Sequence, residues 1–223
     1  EVIILAPYWV SYYDQVILAG GKPVIVEAEI ENDFKVSPGQ IEKAVNGRTR
    51  LLLFNSPSNP TGMVYSREEM EAIARVVEKH EGLFVMSDEI YEHIIFEGRH
   101  VSMASFDFIY DRVITVNGVS KGYAMTGWRL GYTAGPRPVI RAMSTLQGQM
   151  TSNPCSISQV AAAAALLGSQ EQVGRMVTEF ERRRDFVVDR LNAMPGVVCA
   201  RPQGAFYVFP NVAEHFHPDK SVR

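Results

Sequence analysis

Two cations share one glycine-punctuated stretch of this chain: Lys121 and, eight positions later, Arg129, lying between Gly118 and Gly131. A lysine amine can condense with a carbonyl as an imine, and a guanidinium presents a rigid fork that matches a phosphate dianion. Each alone has an ordinary reading, a solvated loop charge for the lysine and a surface ion pair for the arginine. Three other places gather side chains of chemical use. Asp88 ends an apolar run with Tyr91 three residues on, where an aspartate ordinarily caps a helix. Asn59 opens Asn59-Pro60-Thr61-Gly62, a turn by composition, since the residue before proline is held extended and glycine admits positive φ. Trp9 stands in Pro7-Tyr8-Trp9-Val10-Ser11-Tyr12, and composition alone makes it a core aromatic.

The elements that must position these residues read as strands alternating with helices. Apolar runs over residues 2–5, 23–26, 51–54, 83–86 and 113–116 are too short for helices and end in turn residues, the pattern of strands buried on both faces of a parallel sheet. Between them lie a helix-like stretch closing at Gly20-Gly21 and two capping boxes, Ser37-Pro38-Gly39-Gln40 and Ser66 with Glu69. Behind the second box, Met70, Ile73, Ala74 and Val77 recur at helical spacing. Asn59, Asp88 and Lys121 each follow one of the strands, and open α/β sheets bind ligands at the carboxyl ends of their strands. After an apolar segment over residues 130–134 the pattern turns helical, over 138–150, 156–167 and 170–194. Residues 197–200 and 205–209 read as two strands around a Pro202-Gln203-Gly204 turn. The expected fold is α/β, a mostly parallel doubly wound sheet over residues 1–170, followed over 171–223 by a linking helix and the beginning of a smaller α+β domain. The domain change is expected inside the long helix, near residues 170–184.

The run Ser120-Lys121-Gly122-Tyr123-Ala124-Met125-Thr126-Gly127-Trp128-Arg129-Leu130-Gly131-Tyr132, together with Ser87-Asp88-Glu89-Ile90-Tyr91, residues 56–62 and residues 7–12, resembles in order the motifs of the fold type I pyridoxal-phosphate aminotransferases. The likeness is closest to the aspartate or aromatic subgroup and extends from Trp9 to Gly204-Ala205-Phe206-Tyr207. It implies that pyridoxal 5'-phosphate is held as an imine on Lys121, which also serves as general base for the substrate's α-proton. Asp88 would pair with the pyridine nitrogen and keep it protonated, which makes the ring an electron sink. Tyr91 and Asn59 would donate to the phenolic oxygen, favouring its anion and lowering the imine's proton affinity, while Trp9 stacks on the ring. Arg129 would take the phosphate. Many relatives add a serine where this chain has Gly118, and Ser120 is the candidate to replace it.

The implied substrates are an amino acid, aspartate foremost, and a 2-oxo acid. The implied location is the cytoplasm, and the full-length protein is expected to be a homodimer with sites at the interface. The family's phosphate-contacting loop ahead of the Trp9 segment and its substrate-carboxylate arginine have no match here. The sequence is therefore expected to be a fragment that binds the cofactor without turning over substrate. Two other functions remain open on the same motifs. One is a carbon–sulfur lyase or synthase of the same fold, and the other is an aminotransferase-like sensor domain of a transcriptional regulator, which an upstream winged-helix pattern would mark.

The 223 residues carry 22 Lys+Arg against 25 Asp+Glu, a net charge of −3, with no basic cluster of the kind that tracks nucleic acid. Arg182-Arg183-Arg184 is expected to be a solvated helix face. Hydrophobic residues make up 46%, but no apolar run reaches membrane-spanning length. Cys155 and Cys199 share no metal-like spacing with a histidine and are expected to be reduced, buried thiols of a cytosolic protein. His80, His93, His100, His215 and His217 present no third ligand for the i, i+2 pair at the end, so they are expected to be structural or solvent-facing and no metal is expected.

Overall fold

The computed structural model describes residues 1–216. Side chains alternate in direction along a strand, and here that alternation sorts the core into two layers. The first three elements are β1 (Val2–Ala6), α1 (Ser11–Leu18) and β2 (Pro23–Glu27). They are followed by α2 (Pro38–Ala44), β3 (Leu51–Asn55), α3 (Arg67–Lys79) and β4 (Phe84–Asp88). Ile3, Leu52, Phe54 and Val85 point to one side, where they pack with Ile41 of α2 and Met70, Ile73 and Val77 of α3. Ile4 and Leu53 point to the other, against Tyr12 and Val16 of α1. Burial on both faces is why these strands are continuous apolar runs rather than alternating ones.

Two further strands, β5 (Val113–Gly118) and β6 (Gly131–Ala134), complete a six-stranded sheet of order β2-β1-β3-β4-β5-β6. All neighbours are parallel except β5 and β6. Because β2 and β3 flank β1 on opposite sides, the winding reverses at β1, and the carboxyl ends of β1 and β3 diverge to leave a crevice. Both capping boxes form: Ser37 and Ser66 each accept from the backbone N–H three residues on, and Gln40 and Glu69 return the bond. The Arg112 guanidinium donates to the carbonyls of Val77 (2.7 Å) and His80 (2.8 Å), a second donor for each at the end of α3 beside the backbone N–H it already accepts.

The helices that follow are α4 (Arg137–Met150), α5 (Ser156–Leu167) and α6 (Glu171–Asn192). After them β7 (Val198–Cys199) pairs antiparallel with β8 (Pro210–Asn211). Residues 205–209 are not the strand their apolar content suggests. Gln203 and Gly204 both donate to the Gly62 carbonyl at 2.9 Å, and Ala205 donates to Ile94 at 2.8 Å, so the backbone leading into the segment is committed to loops of the large sheet. The arginine run also divides. Arg182 and Arg183 pair with Glu179 at the surface, whereas Arg184 is buried, donating to Glu97 and to the Pro202 carbonyl, each at 2.9 Å. Cys199 is buried as expected but Cys155 is exposed.

His80, His100 and His215 are bonded to Glu42, Glu89 and the Pro195 carbonyl, and His93 packs edge-on against Tyr123. His217 and Arg223 lie outside the described residues. Among the described residues no helix is long and apolar enough to cross a membrane.

Candidate active site

Each strand around the crevice ends in one part of the site. β1 leads through Trp9 into the first turn of α1, which carries Tyr12. β3 ends at Asn55 and leads into the Asn59 turn, β4 ends at Asp88 with Tyr91 in the turn beyond, and β5 leads to Lys121. These residues, with Ile90, Val116 and Tyr207, line one cavity of about 240 Å³. Five of the residues expected from sequence thus meet: Trp9, Asn59, Asp88, Tyr91 and Lys121. Ser120 and Arg129 do not line it. The Ser120 carbonyl accepts from the Thr126 hydroxyl at 2.9 Å. Arg129 is exposed, has a left-handed φ of 53°, and donates to the Thr126 carbonyl at 3.0 Å.

Asp88 is the best-anchored group. Its Oδ2 accepts the Tyr12 hydroxyl at 2.5 Å, and its Oδ1 accepts the Ile90 N–H at 3.2 Å. Enclosure of the carboxyl pushes its pKa above the ordinary range against the pull of those two donors, and the charge of Glu89 adds to the rise. Burial, with the neighbouring Asp88 charge, drives the Tyr12 hydroxyl far above its usual pKa, so Tyr12 stays a neutral donor. Asn55 ties this end of the site to the next. Its amide donates to the Asp88 carbonyl at 2.8 Å while its Oδ1 accepts the Asn59 N–H at 2.7 Å.

The Asn59 turn is held by packing as well as by its own geometry. Gly62 has φ +71°, and a Cβ there would stand 2.5 Å from Pro202 Cβ and 2.8 Å from the Gly204 carbonyl, so only glycine fits. The Asn59 amide donates to the Tyr207 hydroxyl at 3.3 Å, and that hydroxyl lies 2.6 Å from the Tyr91 hydroxyl. At Gly118 a Cβ would come 3.0 Å from both Gly131 Cα and the Leu130 carbonyl. Its closeness to β6 gives glycine a steric reason there.

Three contributors escaped the sequence reading: Tyr12, Asn55 and Tyr207. Tyr12 and Asn55 carried a local signal, since one follows Trp9 at helical reach and the other is the polar terminus of an apolar run. Tyr207 belongs to the Gly204-Ala205-Phe206-Tyr207 segment but carried no local sign of its partner, being 148 residues from Asn59. A separate group, Glu89, Glu92 and His100, has its donor atoms within 4.8 Å of one another. Glu89 there already accepts from Ser87, Ser102, the Met103 N–H and His100, so the group works as a hydrogen-bond network.

The cavity's donor set suits a substituted pyridine. The Asp88 carboxylate lines the cavity, and the Asn59 amide and the Tyr91 and Tyr207 hydroxyls cluster in its wall. Trp9 offers an aromatic wall, its ring edge-on to Tyr12 with centroids 5.5 Å apart, and Lys121 offers an amine within the same cavity.

The chain is 52% identical over 222 residues to the aspartate/prephenate aminotransferase of Cereibacter sphaeroides, covering 96% of this chain and 54% of that protein. It is 50% identical over 216 residues to the aspartate aminotransferase of Geobacillus stearothermophilus, covering 96% and 55%. The crystal structure of the aspartate aminotransferase from Rhizobium meliloti superposes with a TM-score of 0.93 at 45% identity, over 95% of this chain and 54% of that one. The chain thus spans about half the length of the curated relatives it matches. The family model for aminotransferase class I and II matches residues 1–221, and the chain belongs to that family.

Proposed function

We propose that this chain is the cofactor-binding part of a pyridoxal-5'-phosphate-dependent aminotransferase that moves an amino group between an amino acid, aspartate foremost, and a 2-oxo acid. The observation that carries the reading is the convergence of Lys121, Asp88, Tyr91, Asn59 and Trp9 on one cavity at the carboxyl edge of the sheet. The bound cofactor supplies an electron sink for the bond broken at the substrate's α-carbon. Asp88, enclosed and with lone pairs to spare, offers its charge to a protonated ring nitrogen. Tyr91 and Asn59 would supply donors to the phenolic oxygen, and Trp9 would wall off water. Lys121 would hold the cofactor through its Nζ, and the same amine would serve as the base that moves the substrate's α-proton. Arg129 and Ser120 are assigned to the phosphate on the strength of the motif, and residues 1–170 and 171–223 to the large and the beginning of the small domain.

For the whole protein the proposal is a cytoplasmic homodimer. Its support is the pair of free thiols and the apolar side chains that α4 and α5 leave exposed, Leu146, Met150, Ile157, Val160 and Leu167. Borohydride reduction of the cofactor-loaded protein followed by peptide mapping tests the assignment. The label is expected on Lys121, and a label on any other lysine overturns it. Product analysis with aspartate and 2-oxoglutarate separates transamination from carbon–sulfur cleavage.

A further inference from the structure

We infer that Tyr207 is a positioning residue of this site, its hydroxyl binding the Asn59 amide and the Tyr91 hydroxyl into one polarised donor array at the cavity wall. The inference rests on the proposed function, because the array is taken to serve the cofactor's phenolic oxygen. The geometry is that of a bridge: Asn59 Nδ2 lies 3.3 Å and the Tyr91 hydroxyl 2.6 Å from the Tyr207 hydroxyl. Two hydroxyls own two hydrogens, and the bond between them uses one. Whichever way that bond points, one hydroxyl hydrogen remains for a guest, and its donor is polarised by the other hydroxyl. Tyr91 is 2% exposed. Burial, then its bond to Tyr207, raises its pKa, so it remains a neutral donor throughout the working range.

The backbone around Tyr207 explains how so distant a residue arrives with this accuracy. The turn that precedes it is fastened to both loops that carry its partners. Gln203 and Gly204 donate to Gly62, in the Asn59 turn, and Ala205 donates to Ile94, just past Tyr91. The Gln203 side chain accepts from Val64 at 3.1 Å, and Arg184 of α6 donates to Pro202 at 2.9 Å. Gly204 leaves no room for a side chain, since a Cβ there would stand 2.7 Å from the Ile94 carbonyl. Ala205, at φ +55°, then turns the chain so that Phe206 faces Lys121, with Nζ 5.7 Å from its ring centroid, and Tyr207 enters the cavity wall. One turn therefore sets the spacing of the two donors and supplies the hydroxyl between them.

The test is a pH titration of the visible chromophore in the cofactor-loaded full-length protein. It compares wild type, Tyr207→Phe, Tyr91→Phe and the double variant, with thermal unfolding as a folding check. Weaker donation to an aryl oxygen destabilises its anion, so the lysine–cofactor linkage holds its proton more tightly. Tyr207→Phe, which keeps the ring, is expected to move the spectral midpoint up by about half a pH unit, the size of part of one hydrogen bond. In the Tyr91→Phe background that shift is expected to shrink to less than half, the non-additivity of residues acting through one another. Gly204→Ala, which displaces the turn and leaves the phenol intact, is expected to shift the midpoint in the same direction. An unmoved midpoint in Tyr207→Phe, or shifts that simply add, overturns the inference while leaving the proposed function standing. Absence of a chromophore, or of a label on Lys121, in the wild-type protein removes both.

Discussion

Asp88 and Glu89 are neighbours in the chain, yet they leave the end of β4 for opposite faces of the sheet and meet opposite electrostatics. Asp88 turns to the α1 side, where two donors reach it, and its pKa is raised. Glu89 turns to the side of α2 and α3, where it is 3% exposed and accepts from Ser87 (2.9 Å), Ser102 (2.8 Å), Met103 N–H (3.2 Å) and His100 (3.0 Å). Burial pushes the Glu89 carboxyl up as well, but the bonds and charge of His100, with Ser102 and Ser87, outweigh it and hold the pKa below the ordinary range. A carboxylate accepts about four hydrogen bonds. Glu89 has filled that capacity with protein, whereas Asp88 keeps lone pairs for something else and presents them to the cavity. Neighbouring titratable groups whose environments drive them apart mark a division of labour, here between holding the fold and, on the proposed function, meeting a cationic guest.

The contrast breaks most visibly through activity. Asp88→Asn keeps an acceptor for Tyr12 and removes the charge, so transamination by the full-length protein is expected to fall by about 10²–10⁴-fold with little change in unfolding midpoint. Glu89→Ala is expected to do the reverse at the level of the fold. It strands His100, two serine hydroxyls and a backbone N–H, and breaking a buried pair costs about 3–5 kcal/mol, read by denaturant unfolding. If Glu89→Ala spared stability and abolished turnover, the two carboxylates would have their roles exchanged.

Much of the sheet and of the cavity lining was legible in the residues themselves. The apolar runs at 51–54 and 83–86 identified strands buried on both sides. The capping boxes fixed where α2 and α3 begin, and the turn residues after each strand located Asn59, Asp88 and Lys121 at the sheet's working edge. The illegible parts depend on contacts that no local spacing encodes. Arg184 is buried because Glu97 and the Pro202 carbonyl happen to face it. Residues 205–209 have strand-like composition, but the Gly62 and Ile94 carbonyls claim the backbone leading into them. Glu89 reads in sequence only as the middle of a motif. Its role appears once Ser102 and Met103, more than a dozen positions downstream, fold back over it.

The pH dependence of stability sharpens the comparison, because the two shifts have opposite signs. Glu89, depressed on folding, contributes stability that is present above the ordinary carboxylate range and lost as pH falls through its lowered value. Asp88, raised on folding, binds its proton more tightly in the folded state. Its contribution is therefore greatest below the ordinary range and is lost as pH rises through the raised value. Unfolding midpoints measured from acid to neutral pH should accordingly lose their acid limb in Glu89→Gln. In Asp88→Asn they should lose the decline just above the ordinary range.

The smallest expected effect isolates the bond that distinguishes the cavity side. Tyr12→Phe keeps the ring against Trp9 and the packing with Ile4 and Leu53, and removes only the hydroxyl that donates to Asp88 at 2.5 Å. A hydrogen bond to a charged acceptor contributes about 1.5–3 kcal/mol and one between neutral groups about 1 kcal/mol. The cost of Tyr12→Phe should therefore be larger at neutral pH, where Asp88 is ionised, and shrink once acid protonates it. With its shorter donor gone, the Asp88 carboxyl should also titrate higher than in the wild type, which a carboxyl-resolved NMR titration would read. An equal cost at both pH values would mean that Asp88 is neutral throughout. The cavity side would then lack the charge that sets it apart from the Glu89 side.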